Sequence, residues 1–215
     1  NPANGEFLAV WHKSRKIADY PLAFDVEIFG QRIASDGAPI GGSFLVTLAG
    51  GSNPALGGHG PAITFNSKMN EFFVIYHRGY FGSSNDGIFG QRIAADGSLI
   101  GGEIPIFQGP SQANPVIAYN SNSNQYLVVW GSSEGIVHGQ IIDGEGVSVG
   151  LPFDLSPGLR GAGNPAAIFN PSTNQYLVVF DAFSSTVADV FGQLLFVDGT
   201  LDGPFFAITT ADGIQ

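Results

Sequence analysis

The sequence predicts an all-β protein built from four consecutive copies of one unit, and three observations predict it. Fifteen positions occur twice with three changes, as IFGQRIASDGAPIGG (28–42) and IFGQRIAADGSLIGG (88–102). Short bursts rich in Val, Ile, Phe and Tyr recur between Asn, Gly, Pro and Ser, with a period of about 50 to 65 residues. No segment shows the 3.6-residue period of an amphipathic helix.

Each unit is predicted to contain four strands, A to D, in that order. Strand A is present in three units, as GPAITFN (60–66), NPVIAYN (114–120) and NPAAIFN (164–170). Strand B closes four aligned segments: NPANGEFLAVW (1–11), NSKMNEFFVIY (66–76), NSNSNQYLVVW (120–130) and NPSTNQYLVVF (170–180). Strand C carries a Gly-Gln pair in IFGQRI, IFGQRI, VHGQII and VFGQLL, and strand D follows in GGSFLVTL, GGEIPIF, GLPFDL and DGPFFAI.

The turns within a unit have their own signals. The A–B connection is rich in Asn, and the C–D connection carries Asp36-Gly37, Asp96-Gly97, Asp143-Gly144 or Asp198-Gly199. Because Asn and Gly tolerate positive φ, these pairs indicate tight hairpin turns.

Strand B is apolar at consecutive positions, which predicts that both of its faces are covered. Four-stranded units stacked face to face cover both faces of their middle strands, and this is the arrangement of a β-propeller. We therefore expect a single propeller domain with units at about 1–52, 53–112, 113–162 and 163–215. With three A strands and four each of B, C and D, the first blade lacks its innermost strand. We expect a compact four-bladed ring rather than an open arc, with another chain or further repeats as the elements that would complete the first blade.

The pattern NPxIAYN…NQYLVVW…IFGQRI..DG..IGG resembles tandem propeller-like repeats of large secreted or cell-surface proteins of bacteria. The resemblance covers essentially the whole chain. It implies a propeller architecture and an extracellular, cell-surface or periplasmic location, and it implies no particular activity.

Composition excludes several function classes. The formal charge is −10, from 18 acidic and 8 basic residues, which argues against a nucleic-acid partner. The basic cluster Lys13, Arg15 and Lys16 is expected in a solvated loop. There is no cysteine for a disulfide or a thiolate metal site. No apolar run approaches the roughly 20 residues of a membrane-spanning helix, so no membrane insertion is predicted.

Two sets of repeated residues are candidates for structure or binding. The Gly-Gln pairs are expected to brace neighbouring blades, since a strand glycine allows close approach and a Gln amide bonds the backbone. These are Gly30-Gln31, Gly90-Gln91, Gly139-Gln140 and Gly192-Gln193. The aromatic residues that close strand B fit core packing, and in a lectin they would be stacking platforms for sugars: Trp11, Tyr76, Trp130 and Phe180.

No cofactor or metal is predicted from the spacing of ligating residues. The Asp-Gly turns offer one carboxylate each, apart from Asp143 with Glu145, which is fewer oxygen ligands than a calcium loop provides. The four histidines, at 12, 59, 77 and 138, show no metal-binding spacing. A cation held in the central channel by backbone carbonyls would leave no trace in the sequence.

The leading functional expectation is a non-catalytic binding or scaffolding module that contacts a protein or glycan at a surface. No G-x-S-x-G, H-E-x-x-H or P-loop motif is present. The unlike B–C loops would carry specificity, at 12–25, 77–86, 131–135 and 181–188. The candidate ligand-binding residues are Trp11, Tyr76, Trp130, Asp25, Asp86, Glu134 and Asp189.

Two alternatives remain open. A carbohydrate-binding lectin would use pockets between blades. A glycoside hydrolase would use carboxylates from separate blades near the start of strand C, at Asp25, Glu27, Asp86, Glu134 and Asp189.

Overall fold

The computed structural model describes residues 1–17, 20–47, 58–78, 86–109, 112–183 and 188–209. These residues form fifteen strands and no helix. The strands are β1 (Phe7–Ile17), β2 (Tyr20–Ile33), β3 (Pro39–Leu45), β4 (Gly58–Asn66), β5 (Glu71–Arg78), β6 (Gly87–Ala94), β7 (Leu99–Gln108), β8 (Gln112–Asn120), β9 (Gln125–Ser132), β10 (Val137–Asp143), β11 (Ser148–Asp154), β12 (Arg160–Asn170), β13 (Gln175–Phe183), β14 (Ala188–Phe196) and β15 (Phe206–Ala207). Within this described part there is no helix of the length and apolarity that crossing a membrane requires.

The strands form four antiparallel sheets in which neighbours along the chain are neighbours in the sheet. Sheet 1 is β1–β3, sheet 2 is β4–β7, sheet 3 is β8–β11 and sheet 4 is β12–β15. Sheets 2 to 4 begin with the predicted strand A, whereas sheet 1 has three strands and begins with strand B. The predicted repeat of four units, with an incomplete first unit, is confirmed.

The chain divides into two compact units, residues 1–111 with sheets 1 and 2 and residues 112–215 with sheets 3 and 4. Each unit has its own apolar core between its two sheets. We name the two sides of a sheet after strand B. The leucine face carries Leu8, Phe73, Leu127 or Leu177, and the tyrosine face carries Phe7, Phe72, Tyr126 or Tyr176.

The same pair of faces meets in both units. In the first unit Leu8 and Ile28 of sheet 1 pack with Phe72 and Val74 of sheet 2. In the second unit the leucine face of sheet 3 packs with the tyrosine face of sheet 4 through Leu127, Val129, Tyr176 and Val178. In β5 and β9 the apolar residues on both faces of strand B are buried, as the consecutive apolar positions predicted.

The turns follow the predicted chemistry with one correction. At the A–B turns Asn70, Asn124 and Asn174 have φ of 54°, 58° and 56°. At the C–D turns Gly37, Gly97 and Gly199 have φ of 89°, 92° and 88°. In the third unit the prediction of Asp143-Gly144 is wrong, because the residue with positive φ, at 92°, is Gly146. Its amide donates to the Asp143 carbonyl at 3.0 Å, so the turn begins at Asp143.

The first B–C loop is shorter than predicted. β1 and β2 pair continuously from Phe7 with Ile33 to Lys16 with Phe24, so much of 12–25 is a two-stranded ribbon. The basic cluster at 13–16 lies in β1 rather than in a loop. His12, Lys13 and Ser14 of β1 are exposed, and their charged and polar side chains do not show the apolar alternation by which a strand is recognised in the sequence. Residues 79–85 and 184–187 of two other predicted loops lie outside the described residues.

The Gln residues of the Gly-Gln pairs donate hydrogen bonds within their own sheet and not, as the prediction of bracing between blades would require, to a neighbouring sheet. In every sheet the Gln Nε2 donates to the carbonyl of the next residue and to a carbonyl beyond the C–D turn, at 2.8 to 3.1 Å. These bonds link strand C to strand D of the same sheet. A hydrogen bond between sheets 1 and 2 is made by Arg32, whose Nη1 donates to the Asp96 carbonyl at 3.0 Å.

An aromatic ring explains why the pair contains glycine. A Cβ added at Gly139 would lie 2.5 Å from Cε2 of Phe153 in the same sheet. A Cβ added at Gly199, in the C–D turn of sheet 4, would lie 2.6 Å from Cε1 of the same ring. Phe153 is therefore held between two repeated glycines. Phe44 is held in the same way between Gly30 and Gly97 in the first unit.

Candidate functional site

In the first unit the B–C end of sheet 2 holds a buried carboxylate against a histidine. His77 ends the apolar run of β5, and Asp86 precedes β6. His77 Nε2 lies 2.5 Å from Asp86 Oδ1, and the side chain of Asp86 is fully buried while that of His77 is 17% exposed. A carboxylate that orients a partly exposed imidazole is an arrangement that can accept and return a proton.

A second polar group lies at the same end of sheet 2. Tyr76 Oη donates to Glu103 Oε1 at 2.5 Å, and Arg78 pairs with the other oxygen of Glu103. The Arg78 guanidinium carbon lies 3.8 Å from the centre of the Phe89 ring. Burial is the main cause that raises the pKa of Tyr76, and the charge of Glu103 adds to it, so the phenol stays protonated.

In the second unit three polar side chains line the start of the innermost strands. Asn114 and Asn164 each precede a proline and have φ of 50° and 45°. The register of both strands shifts there, between Ala113 and Val116 and between Gly163 and Ala166. Asn114 Nδ2 donates to Asn164 Oδ1 and Asn164 Nδ2 donates to Asp181 Oδ2, both at 3.3 Å.

One carboxylate oxygen of Asp181 accepts no hydrogen bond in this group. Its Oδ1 is buried and has no hydrogen-bond partner among the described residues. Both asparagines are exposed, so their amides are accessible from solvent. An arrangement of amides and a carboxylate can hydrogen-bond the hydroxyls of a polar ligand.

The predicted aromatic residues differ in their surroundings. Tyr76 and Trp130 are fully buried, and Trp130 packs against His138 with ring centres 5.9 Å apart. Trp11 is 38% exposed and stacks on Phe29 with ring centres 6.1 Å apart. Of these three, Trp11 alone presents a surface that a ligand could contact.

Among the side chains that the structure describes, the predicted acidic residues form no cluster of three. Glu134 is exposed between β9 and β10, and Asp189 is partly exposed in β14. Asp25 lies in β2 and pairs with Arg15, but its side chain falls outside the described residues. Asp86 lies 2.5 Å from His77, as described above.

Sequence reasoning missed Glu103, Asp181 and the two asparagines. The signal for the asparagines was present, since an Asn before Pro at the start of a strand marks a bulge. No sequence signal pointed to Glu103 or Asp181, because each is a single acidic residue in or after an apolar run. In the described ranges no group of three His, Asp or Glu side chains is placed to hold a metal ion.

His138 gives the second unit a pH-dependent contribution to stability. Burial lowers the pKa of His138 below its ordinary 6.5, while Asp154 and Glu134 act in the opposite direction. A lowered folded-state pKa means that the unfolded chain binds the proton more tightly, so stability falls as pH drops through 6.5. We expect His138→Gln to flatten the dependence of the melting temperature on pH between about 7 and 5. An unchanged slope would contradict this expectation.

Three solved structures illustrate what the fold is similar to. A GH43 β-1,3-galactosidase matches with a TM-score of 0.58 and 9% identity, over 94% of this chain and 43% of that one. A GH43 endo-arabinanase from Bacillus licheniformis matches with a TM-score of 0.58 and 11% identity, over 97% and 77%. The β-propeller domain of the Trilobed protease from Pyrococcus furiosus matches with a TM-score of 0.50 and 10% identity, over 94% and 54%. No protein-family model and no curated protein matches the sequence.

These comparisons confirm the predicted fold and correct the predicted function. At such low identities the likeness shows the fold alone, which is a β-propeller with four blades and an incomplete first blade. This chain spans less than half of the galactosidase. The expectation of a non-catalytic binding or scaffolding module is wrong as the leading interpretation, because glycoside hydrolases recur among the matching structures. The fold matches that of glycoside hydrolase propellers.

Proposed function

We propose that the chain acts on glycosides as a hydrolase. The observation that carries this proposal is its similarity to GH43 enzymes over 94% to 98% of its length. The acidic charge of −10 fits a neutral or basic ligand better than a phosphorylated one.

Glycoside hydrolysis uses carboxyl groups as acid, base or nucleophile. We name one candidate carboxylate in each unit and test them separately. Asp86 is buried and oriented against His77, which provides a route for a proton. Asp181 has an oxygen without a partner in the described residues and lies beside exposed asparagine amides.

The test is release of reducing sugar from β-1,3-galacto-oligosaccharides, from arabinan and from a panel of aryl glycosides. We expect turnover by the wild-type chain and a loss of about 100-fold or more with Asp86→Asn or Asp181→Asn, since acid–base catalysis contributes at least that much. The matched control is Asp198→Asn, because Asp198 accepts bonds from Thr200 in a C–D turn, at the opposite end of its strands from the B–C end. No turnover on any substrate would overturn the proposal. Unchanged turnover in both variants would overturn the assignment of these residues.

A further inference from the structure

Sheet 1 exposes a face that is buried in the second sheet of each unit. Phe7 on its tyrosine face is 60% exposed, whereas the equivalent Phe72 and Tyr176 are 6% and 0% exposed. Trp11 is 38% exposed, whereas the equivalent Tyr76 is fully buried. The residue types are those of a packed interface, but this copy of the face is open to solvent.

Sheet 4 exposes the complementary face. Ile168 on its leucine face is 64% exposed, and the equivalent Ala118 of sheet 3 is 5% exposed. Ile208 is 48% exposed, and the equivalent Leu155 is fully buried. Leu177 and Leu194 are half-buried on the same face and line a shallow hollow with Ile168. Their equivalents Leu127 and Ile141 belong to the core of the second unit.

A second contact is also made inside each unit but left unmade at the free faces, namely the packing of a strand-D aromatic ring on a glycine in the next sheet's C–D turn. Phe153 of sheet 3 packs on Gly199 in the turn of sheet 4, and Phe44 packs on Gly97 in the first unit. Phe206, the equivalent ring in sheet 4, covers its own Gly192 but remains 44% exposed. Gly37, the equivalent turn glycine in sheet 1, has no atom within 4 Å of a Cβ built on it.

We propose that copies of this chain associate head to tail, with the leucine face of sheet 4 in one copy against the tyrosine face of sheet 1 in the next. A second copy of the chain is the expected partner because of the two interfaces inside the units. Both interfaces join a leucine face to a tyrosine face through the same positions. Phe206 of one copy would cover Gly37 of the next, as Phe153 covers Gly199. Such a contact joins two different surfaces, so each copy binds one neighbour through each face, and the copies form either a closed ring or an open row.

The first test is the solution mass of the wild-type chain across a range of concentrations. We expect mass to rise with concentration above that of the monomer. Trp11 lies on the interface and Trp130 is already buried, so a blue shift of tryptophan fluorescence should accompany the rise. A monomer at every concentration would overturn the proposal.

The decisive test uses one variant on each face. Phe7→Asp disables the tyrosine face and leaves the leucine face intact, while Ile168→Asp does the reverse. We expect each variant alone to be monomeric, and an equimolar mixture to form a 1:1 dimer that grows no further. A mixture that stays monomeric would overturn the proposal, as would a variant alone that still forms oligomers.

The matched control is Leu151→Asp, an apolar residue of β11 that is 85% exposed. Leu151 lies on neither of the two free faces, so this variant should associate as the wild type does. Loss of association in this control would mean that any apolar surface residue matters, which would contradict the specific contact. Because all three positions are exposed, far-UV circular dichroism and thermal unfolding should match the wild type and show that each variant is folded.

Discussion

Gly139→Ala is expected to lower the free energy of unfolding by about 2 to 3 kcal/mol. The added methyl would lie 2.5 Å from Cε2 of Phe153 and 3.2 Å from Cδ1 of Leu155. The ring cannot turn away freely, because its other edge rests on Gly199. Either the ring or strand β10 must move, and both belong to a packed core.

Urea unfolding of single and double variants measures this effect and its cause. If the clash with the ring is responsible, Phe153→Leu should restore part of the loss, so that Gly139→Ala and Phe153→Leu couple by about 1 kcal/mol or more. The control is Gly102→Ala in β7, where a Cβ meets no atom within 4 Å and φ is not positive. Gly102→Ala should change stability by less than about 0.5 kcal/mol. A comparable loss in both glycine variants would contradict the role of Phe153.

The repeat made the architecture predictable from the sequence. Four aligned copies gave the strand order and the missing strand, and Asn or Gly at fixed offsets gave most turns. Turns depend on local φ preferences, which the residue type carries. The third C–D turn was predicted at the wrong pair, because Asp143-Gly144 stands two positions before Glu145-Gly146 and the local pattern fits either pair.

Contacts between residues far apart in sequence were not predictable in this way. The Gly-Gln pair was recognised as structural, but its partners lie in strand D of the same sheet and not in a neighbouring blade. Sheet 2 shows why a motif alone is insufficient. There strand D has Ile104 where sheets 1 and 3 have Phe44 and Phe153, and the ring over Gly90 comes instead from Phe73 of strand B. The glycine keeps its role although the ring arrives from a different strand.

The candidate site depended even more on the fold. Asp86 was identified because it precedes strand C, and the structure adds His77 as its partner. Asp181 and His77 occupy the same repeat position, one residue after the aromatic that closes strand B, yet their contacts are unlike. A position at the end of strand B is therefore free to vary in chemistry while the strand before it is fixed by packing.

Glu103→Ala is expected to cost about 3 kcal/mol of folding stability, because it leaves a buried hydroxyl and a partly buried guanidinium without their acceptor. Tyr76 is fully buried, and its hydroxyl donates to Glu103 at 2.5 Å. Arg78 would keep its charge over the Phe89 ring without the carboxylate that neutralises it. The side chains of Arg78 and Glu103 are 21% and 18% exposed, so water compensates part of this loss.

Apolar replacement of the whole ion pair separates the cost of a broken contact from the value of the contact itself. Arg78→Met with Glu103→Leu removes both charges, and this double variant should be more stable than Glu103→Ala, since no buried charge is left unpaired. Adding Tyr76→Phe to Glu103→Ala should cost less than Tyr76→Phe costs alone, because the hydroxyl has already lost its acceptor. Glu145→Ala, at an exposed turn position, is the control and should be neutral within about 0.5 kcal/mol. Chemical unfolding monitored by circular dichroism gives all of these values. Equal losses for Glu103→Ala and the apolar double variant would show that the network stabilises sheet 2 through its own bonds and not by avoiding unpaired charge.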